Sequence, residues 1–242
     1  MMELLSPDTE EFDQSLRKLP EGTREFFSAM LTRYACKFFD IAKKIPPDHE
    51  ELILEAGRLS PSSFGLEPWL FVSAREKSVL DRLFDACFSQ ENVRTASFVS
   101  VILVRTAKHY HPESEFVRRR SGRFPGGYPV FVDDYRGYWE FISSNNRTNE
   151  WARAQGYIAA ANMMNAAASL GIDSCALEGF DERKVLDILK ADPADWLISL
   201  VIPFGYRGEK PTDKIREPLA DVIAEAGPNG LTGSGDIFPP MG

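Results

Sequence analysis

Residues 151–181 read WARAQGYIAAANMMNAAASLGIDSCALEGFD, and the fold class turns on them. Positions 151–170 are rich in alanine, carry Met163 and Met164 and contain no proline, so they predict one long helix. Gly171 stands where a helix is commonly closed by a left-handed residue. Positions 173–177 are then strand-sized, Glu178 and Gly179 supply a turn, and Asp181 caps a further helix reaching about Lys190. The small residues of 151–170 let a neighbouring backbone come close, which suits a central or interface helix.

Working outward, positions 69–74 and 197–204 read as strands, the second closed by Gly205. Positions 97–104 are strongly β-branched and read as a strand buried on both faces. Positions 76–88 read as a helix. Asp48, His49, Glu50 and Glu51 resemble a capping box for a helix with Leu52, Ile53, Ala56 and Leu59 on one face, ending before Pro61. A helix from Thr23 would align Phe26, Phe27, Met30 and Leu31, and a shorter one over 8–18 would be capped by Asp8. Positions 105–150 mix Gly126, Gly127, Pro125 and Pro129 with many aromatics, and predict an insertion of long loops with at most short helices. From 207 onward the chain reads as an irregular tail. Helices and strands do not alternate regularly, so the class is α+β. With no internal repeat, 1–242 reads as a single domain: a helical extension over 1–30, the 105–150 insertion and the 207–242 tail.

Composition removes several function classes. The 43% hydrophobic and 26% charged residues exclude a disordered or fibrous chain. A net charge of -8 argues against nucleic-acid or anionic-membrane partners, though not against one small anion held by local cations. Cys36, Cys87 and Cys175 are far apart in sequence and odd in number, which predicts free thiols and a cytoplasmic location. The first residues have no basic or apolar leader pattern, and the longest apolar run, 98–104, is too short to span a membrane.

Phosphate-loop, dinucleotide-fold and nucleophile-elbow motifs are absent. His109 and His111 would share a face if strand-spaced, a minor case for metal set against a solvated loop edge. Arg118, Arg119 and Arg120 read first as a solvated rim. Four patterns remain. Arg33 and Lys37 are cations one helical turn apart if their segment is helical, and adjacent on a turn otherwise. The run Ser60-Pro61-Ser62-Ser63-Phe64-Gly65-Leu66-Glu67-Pro68-Trp69 gathers hydroxyls and backbone amides suited to anions. Leu177-Glu178-Gly179-Phe180-Asp181 is a glycine-bearing turn, and Lys214-x-Arg216 places cations in the tail. Each alone is equally an ordinary surface feature.

In chain order, these patterns resemble the nitroreductase family of FMN-dependent NAD(P)H oxidoreductases. That family opens on Arg-x-Ser-x-Lys-x-Phe, matched by Arg33-Tyr34-Ala35-Cys36-Lys37-Phe38-Phe39. Its Pro-Ser-Ser and Gln-Pro-Trp blocks are matched by Pro61-Ser62-Ser63 and Glu67-Pro68-Trp69. Ser89-Gln90-Glu91-Asn92-Val93 and Ala96-Ser97 follow, then the long helix, Glu178-Gly179-Phe180-Asp181, Gly205-Tyr206 and Lys214-x-Arg216.

The resemblance implies an intertwined homodimer built on a mostly antiparallel mixed sheet flanked by helices, with two FMN sites shared between subunits. Arg33, Lys214 and Arg216 would hold the FMN phosphate, beside Ala35. Lys37 would sit near N1 and O2 of the flavin, where a cation favours electron uptake. Pro61, Ser62, Ser63 and Gly65 would come from the partner chain, and Ser89 and Asn92 would meet the pyrimidine edge. Ala176, Glu178 and Gly179 would line the flavin, with a backbone amide of the Glu178-Gly179 turn toward N5. No catalytic side chain and no metal is implied. NADH or NADPH would deliver hydride, and a small acceptor such as a nitroaromatic or quinone would take it in a ping-pong cycle.

Three departures stand out: Ala35 replaces serine, Phe64-Gly65 replaces a polar pair, and Ser89 with Asn92 replaces Asn with Lys or Gln. The insertion would shape the substrate channel, with Tyr128, Phe131, Tyr135, Tyr138, Trp139 and Phe141 as candidate linings or as packing. Alternatives are the same flavin fold running reductive dehalogenation or oxygen-dependent flavin chemistry, a non-catalytic flavin-binding module, or a metalloprotein using His109 and His111.

Overall fold

Strand β2 (Phe98–Arg105) is buried at every position but its last, so it must be covered on both faces. In the computed structural model, which describes residues 15, 17–228 and 230–233, it lies at the centre of an antiparallel sheet. It pairs with β1 (Trp69–Ala74), from Trp69 opposite Val104 to Ala74 opposite Val99. On its other side it pairs with β4 (Trp196–Gly205), from Phe98 opposite Phe204 to Arg105 opposite Trp196. The two-residue β3 (Asp173–Ser174) completes the order β1-β2-β4-β3. Ala35 adds one parallel bridge to Ser174, which makes the sheet mixed at that edge.

The pleat sorts the core into two layers. Phe98, Ile102 and Val104 join one cluster, and Val99, Val101 and Leu103 join the other. On β4 the register shifts opposite Ile102 and Leu103, so Ile198 and Val201 share a face although their parity differs. The first layer is covered by α2 (Pro47–Arg58) and α7 (Thr148–Ser169). Helix α7 is the long helix read from 151–170. At Gly156 an added Cβ would stand 2.6 Å from Ser199 Cβ and 3.2 Å from Ile102 Cγ2, so a glycine is needed for helix and strand to touch. The second layer is covered by α3 (Lys77–Ala86) and α8 (Glu182–Leu189). Asp181 caps α8 by accepting from the Lys184 N–H, as its position before the apolar run predicts.

Other boundaries differ from the sequence reading. The capping box at Asp48 is not formed. Pro46 is the N-cap and Pro47 occupies the first turn, where its missing N–H costs nothing. Glu50, one of the acidic first-turn residues, is buried, accepts from Ser73 Oγ at 2.5 Å and pairs with Arg75 at 2.7 Å. The 105–150 insertion is chiefly helical. After a 3-10 turn at Ala107–His109 come α5 (Glu115–Ser121) and the 18-residue α6 (Gly127–Ser144). Gly126 takes the left-handed conformation just before α6, and Pro129 lies in its first turn. Residues that read as breakers are thus helix-starting signals. The short α4 (Glu91–Thr95) precedes β2.

The described residues divide into two compact units. The main unit runs from Arg33 to Pro211 and holds all the elements above. The other draws on the chain ends and contains α1 (Glu21–Thr32) and a hairpin of β5 (Ala224–Gly227) with β6 (Gly230–Gly233). The tail therefore carries a hairpin where an irregular run was expected. The helix expected over 8–18, with Asp8 as its cap, lies almost wholly outside the described residues. Among those described, no helix is long and apolar enough to cross a membrane.

Candidate functional site

Lys37 stands at the edge of the sheet. The segment before and after it is drawn along β3 and the end of β4. Ala35 bridges Ser174, Cys36 N–H donates to Ser174 O at 3.3 Å, and Asp40 N–H donates to Tyr206 O at 2.8 Å. Cys36 and Phe39 point inward and are fully buried, which leaves Lys37 outward. Its backbone N–H donates to Glu209 Oε1 at 2.6 Å. Its Nζ lies 3.2 Å from Cys175 Sγ, its one hydrogen-bond partner among the described residues. A thiol sulfur is a weak acceptor, so the ammonium keeps most of its donor capacity.

Lys37, Phe38, Gln90, Glu91 and Asn92 line a recess of about 390 Å³. Asn92 is buried there. Its Nδ2 donates to Cys36 O at 3.2 Å, and its Oδ1 is buried without a partner among the described residues. Such an orphaned acceptor is uncommon and calls for a reason. Phe88 and Ser89, just before the recess, are consecutive non-glycine residues with left-handed φ of 54° and 57°, a combination that costs backbone energy.

The Glu178–Gly179 turn meets the same corner. Gln90 Nε2 donates to Gly179 O at 3.0 Å, and Tyr157 OH donates to Glu178 Oε1 at 2.6 Å. Burial, then the hydrogen bond to the Glu178 carboxylate, pushes the Tyr157 phenol up to about 12. A Cβ on Gly179 would meet only ordinary contacts, 3.5 Å to Gln90 Nε2 and 3.6 Å to Phe88, and its φ is not positive. The chain's own packing therefore does not require glycine here, whereas the close approach of a flat ligand would. Ala176, Glu178 and Gly179 are all exposed.

The 61–65 group lies elsewhere in the main unit. Ser62 Oγ accepts from Glu67 N–H at 2.9 Å, and Ser63 N–H donates to Gln155 Oε1 at 2.8 Å, so these groups are not the free hydroxyl and amide that the sequence suggested. Phe64 and Gly65 have φ of 54° and 57°. Arg120 and Arg123 converge on the Glu67 carboxylate at 3.2 and 3.1 Å, and Arg123 also donates to Gly65 O at 3.1 Å. Arg120 is thus a brace, not a solvated rim. Phe64 packs edge-on to Phe131 and Tyr135, and lies 5.1 Å from Tyr138. Tyr135 is fully buried, with its OH donating to Tyr110 O at 2.7 Å. Arg118 covers Tyr128, Trp139 packs on His111, and Phe141 remains exposed.

The histidines separate. Ala107–His109 is a 3-10 turn, not a strand, so His109 bonds Asp195 at 2.8 Å while His111 faces Trp139. Among the described residues no cluster of three or more His, Cys, Asp or Glu could hold a metal.

The structure therefore brings together Ala35, Lys37, Asn92 and the turn at Glu178 and Gly179, with Ala176 and Ser89 adjoining in sequence. Pro61, Ser62, Ser63 and Gly65 form a second group. Arg33 is half-buried at the start of the main unit, whereas Lys214 and Arg216 belong to the chain-end unit. Sequence reasoning missed Gln90, Tyr157 and Cys175 as participants. Gln90 lay within a quoted block, but its partner is 89 residues away, which no local pattern reveals.

A model of the nitroreductase family matches residues 30–206. The chain belongs to the nitroreductase family. A Staphylococcus haemolyticus protein to which NAD(P)H nitroreductase activity is ascribed by name is 41% identical over 203 residues, covering 79% of this chain and 92% of that one. YfkO of Bacillus subtilis, named in the same way, is 37% identical over 207 residues with the same coverage. A nitroreductase-like crystal structure from Streptococcus mutans superposes with a TM-score of 0.73 at 19% identity, covering 84% of this chain and 98% of that one. An Exiguobacterium sibiricum structure solved with FMN superposes at 0.66 and 19% identity, covering 82% and 95%. The α+β nitroreductase-like fold expected from the motifs is thus the fold observed.

Proposed function

We propose that this nitroreductase is an FMN-dependent NAD(P)H oxidoreductase that acts as a homodimer on small acceptors such as nitroaromatics or quinones. The observation that carries it is the Lys37 corner: among the described residues an ammonium with only a sulfur partner lines one recess with Asn92, and an unforced glycine stands beside Gln90 on its wall. These features fit a flat, polar-edged cofactor. When bound, FMN supplies the hydride chemistry, accepting from the nicotinamide and passing to the acceptor in turn. Lys37 would offer its ammonium to a carbonyl-bearing edge, and Asn92 would back the pyrimidine edge. Arg33, Lys214 and Arg216 would take the phosphate, with Ala35 beside it, and Ser89 would join Asn92 on the pyrimidine edge.

The shared-site reading draws on where α7 holds its neighbours. Ser63 is tied to Gln155 early in α7, whereas Ala35 and Lys37 are tied to Ser174 and Cys175 beyond its end. From Gln155 to Leu170 is about 22 Å of helix at 1.5 Å per residue. A second copy would supply Pro61, Ser62, Ser63 and Gly65 to the Lys37 corner of the first.

The test is the visible spectrum of the purified protein before and after anaerobic addition of NADPH or NADH. A yellow protein that bleaches supports the reading. A colourless protein that cannot take up FMN overturns it. Sedimentation should show a dimer, and a monomer that still holds FMN would remove the shared site.

A further inference from the structure

The Glu178–Gly179 turn has its acceptors engaged and its donors open. Phe180 N–H donates to Glu178 O at 3.1 Å, Gln90 Nε2 donates to Gly179 O at 3.0 Å, and Tyr157 OH donates to Glu178 Oε1 at 2.6 Å. Gln90 is itself anchored, because the same Nε2 also donates to Cys87 O at 3.1 Å. Among the described residues none accepts the Glu178 or the Gly179 N–H. Asp181 N–H donates to Ala86 O at 2.8 Å, which fixes the chain immediately after the turn.

A glycine peptide in an exposed turn can rotate and exchange an N–H for a C=O at little steric cost. Here the group exchanged for the Gly179 N–H would be Glu178 O, the carbonyl of the same peptide, so the rotation would break the Phe180 N–H bond to Glu178 O and strain the two bonds that flank it, Gln90 to Gly179 O and Tyr157 to Glu178 Oε1. We infer that Gln90 and Tyr157 are positioning residues that lock this turn as a hydrogen-bond donor toward the cofactor edge. The inference rests on the FMN reading above.

It has a consequence for redox balance. Flavin N5 accepts a hydrogen bond when oxidised and carries a proton when reduced by two electrons. A turn locked as a donor suits the oxidised form. A turn free to present Glu178 O would suit the reduced form. The clamp therefore keeps the bound cofactor readier to give up its electrons than an unlocked turn would.

Gln90→Met keeps the length of the side chain and loses both donors. Tyr157→Phe keeps the ring and loses the bond to Glu178. The midpoint potential of bound FMN, measured spectroelectrochemically, should rise by about 30 mV in Gln90→Met, the two-electron equivalent of a tenfold gain in relative affinity for the reduced form. Tyr157→Phe should shift it the same way by less, and affinity for oxidised FMN, read by fluorescence quenching, should change little in both. If only one variant is soluble, that one decides. Unchanged potentials with FMN bound would overturn the clamp and leave the FMN reading standing. Loss of FMN binding in the variants would also overturn it, since the residues would then hold the cofactor or the fold. Failure of the unsubstituted protein to bind FMN would instead remove the reading on which the clamp depends.

Discussion

The corner at Glu67 and the corner at Lys37 spend their charges differently. At Glu67 two arginines meet one carboxylate, and Arg120 also donates to the Glu67 carbonyl at 3.2 Å. Charged groups there satisfy one another and brace the 61–65 loop against the insertion. At Lys37, among the described residues, the ammonium rests on sulfur, Asn92 Oδ1 has no partner, and Gly179 offers an unused amide. A corner whose polar groups are matched internally holds the fold together, and one whose groups are left short keeps hydrogen-bonding capacity to spare. Both corners carry family motifs, so the motifs alone do not draw this distinction.

Replacing the central carboxylate should give the largest effect. Glu67→Ala leaves Arg120, three-quarters buried, without its counterion. A hydrogen bond to a charged group contributes about 1.5–3 kcal/mol, and the exposed Arg123 pair adds less than about 1 kcal/mol. Urea unfolding should show a loss of about 2–3 kcal/mol. A loss too small to resolve would mean that the Glu67 corner is not the structural one.

Lys37→Met should do the opposite. Its side chain is exposed and its sulfur contact is weak, so the melting temperature should hold. FMN affinity should fall by roughly tenfold, about 1.5 kcal/mol, the lower end of a charge-assisted hydrogen bond. A variant that melts earlier and binds FMN normally would reverse the comparison.

What sequence could reveal follows the range of each interaction. Strands β1, β2 and β4 and helix α7 rest on local apolar patterns and were legible almost to the residue. The cations at 33 and 37 and the turn at 178–179 were legible because the motif is written in consecutive residues. Helix α6 was not, because Gly126, Gly127 and Pro129 stop helices when they lie inside and start them when they lie at the first turn. His109 and His111 would share a face only on a strand, and β2 ends at Arg105 before either, which leaves the loop reading. The brace on Glu67 and the clamp on Gly179 join residues more than 50 apart, 53 for Arg120 and 89 for Gln90. No spacing rule reaches that far.

The pH response should separate the corners further. Tyr157 titrates near 10 when unfolded and is held up at about 12 in the fold, by burial first and then by its bond to Glu178. Folding therefore favours the protonated phenol. Its contribution is complete below pH 10 and is lost as pH rises toward 12. Cys36, raised to about 11, and Cys87, raised to about 12, both chiefly by burial, act in the same direction from 9 upward. Stability should thus decline on the alkaline side, and Tyr157→Phe should flatten the part between pH 10 and 12. A variant curve superimposing on that of the unsubstituted protein across that window would detach Tyr157 from Glu178.

The smallest effect is the sharpest control, because it separates distance from burial. Arg58 bonds Glu55 at 2.5 and 2.6 Å, shorter than either arginine contact at Glu67. Both side chains are largely exposed, at 62% and 42%. Water competes for each charge, and ordering two long side chains offsets the attraction. Arg58→Ala should therefore leave both the melting temperature and FMN affinity within experimental error. If it destabilised the protein as much as Glu67→Ala, then short contact and not mutual burial would set the worth of these pairs, and the contrast between the two corners would rest on nothing more than length.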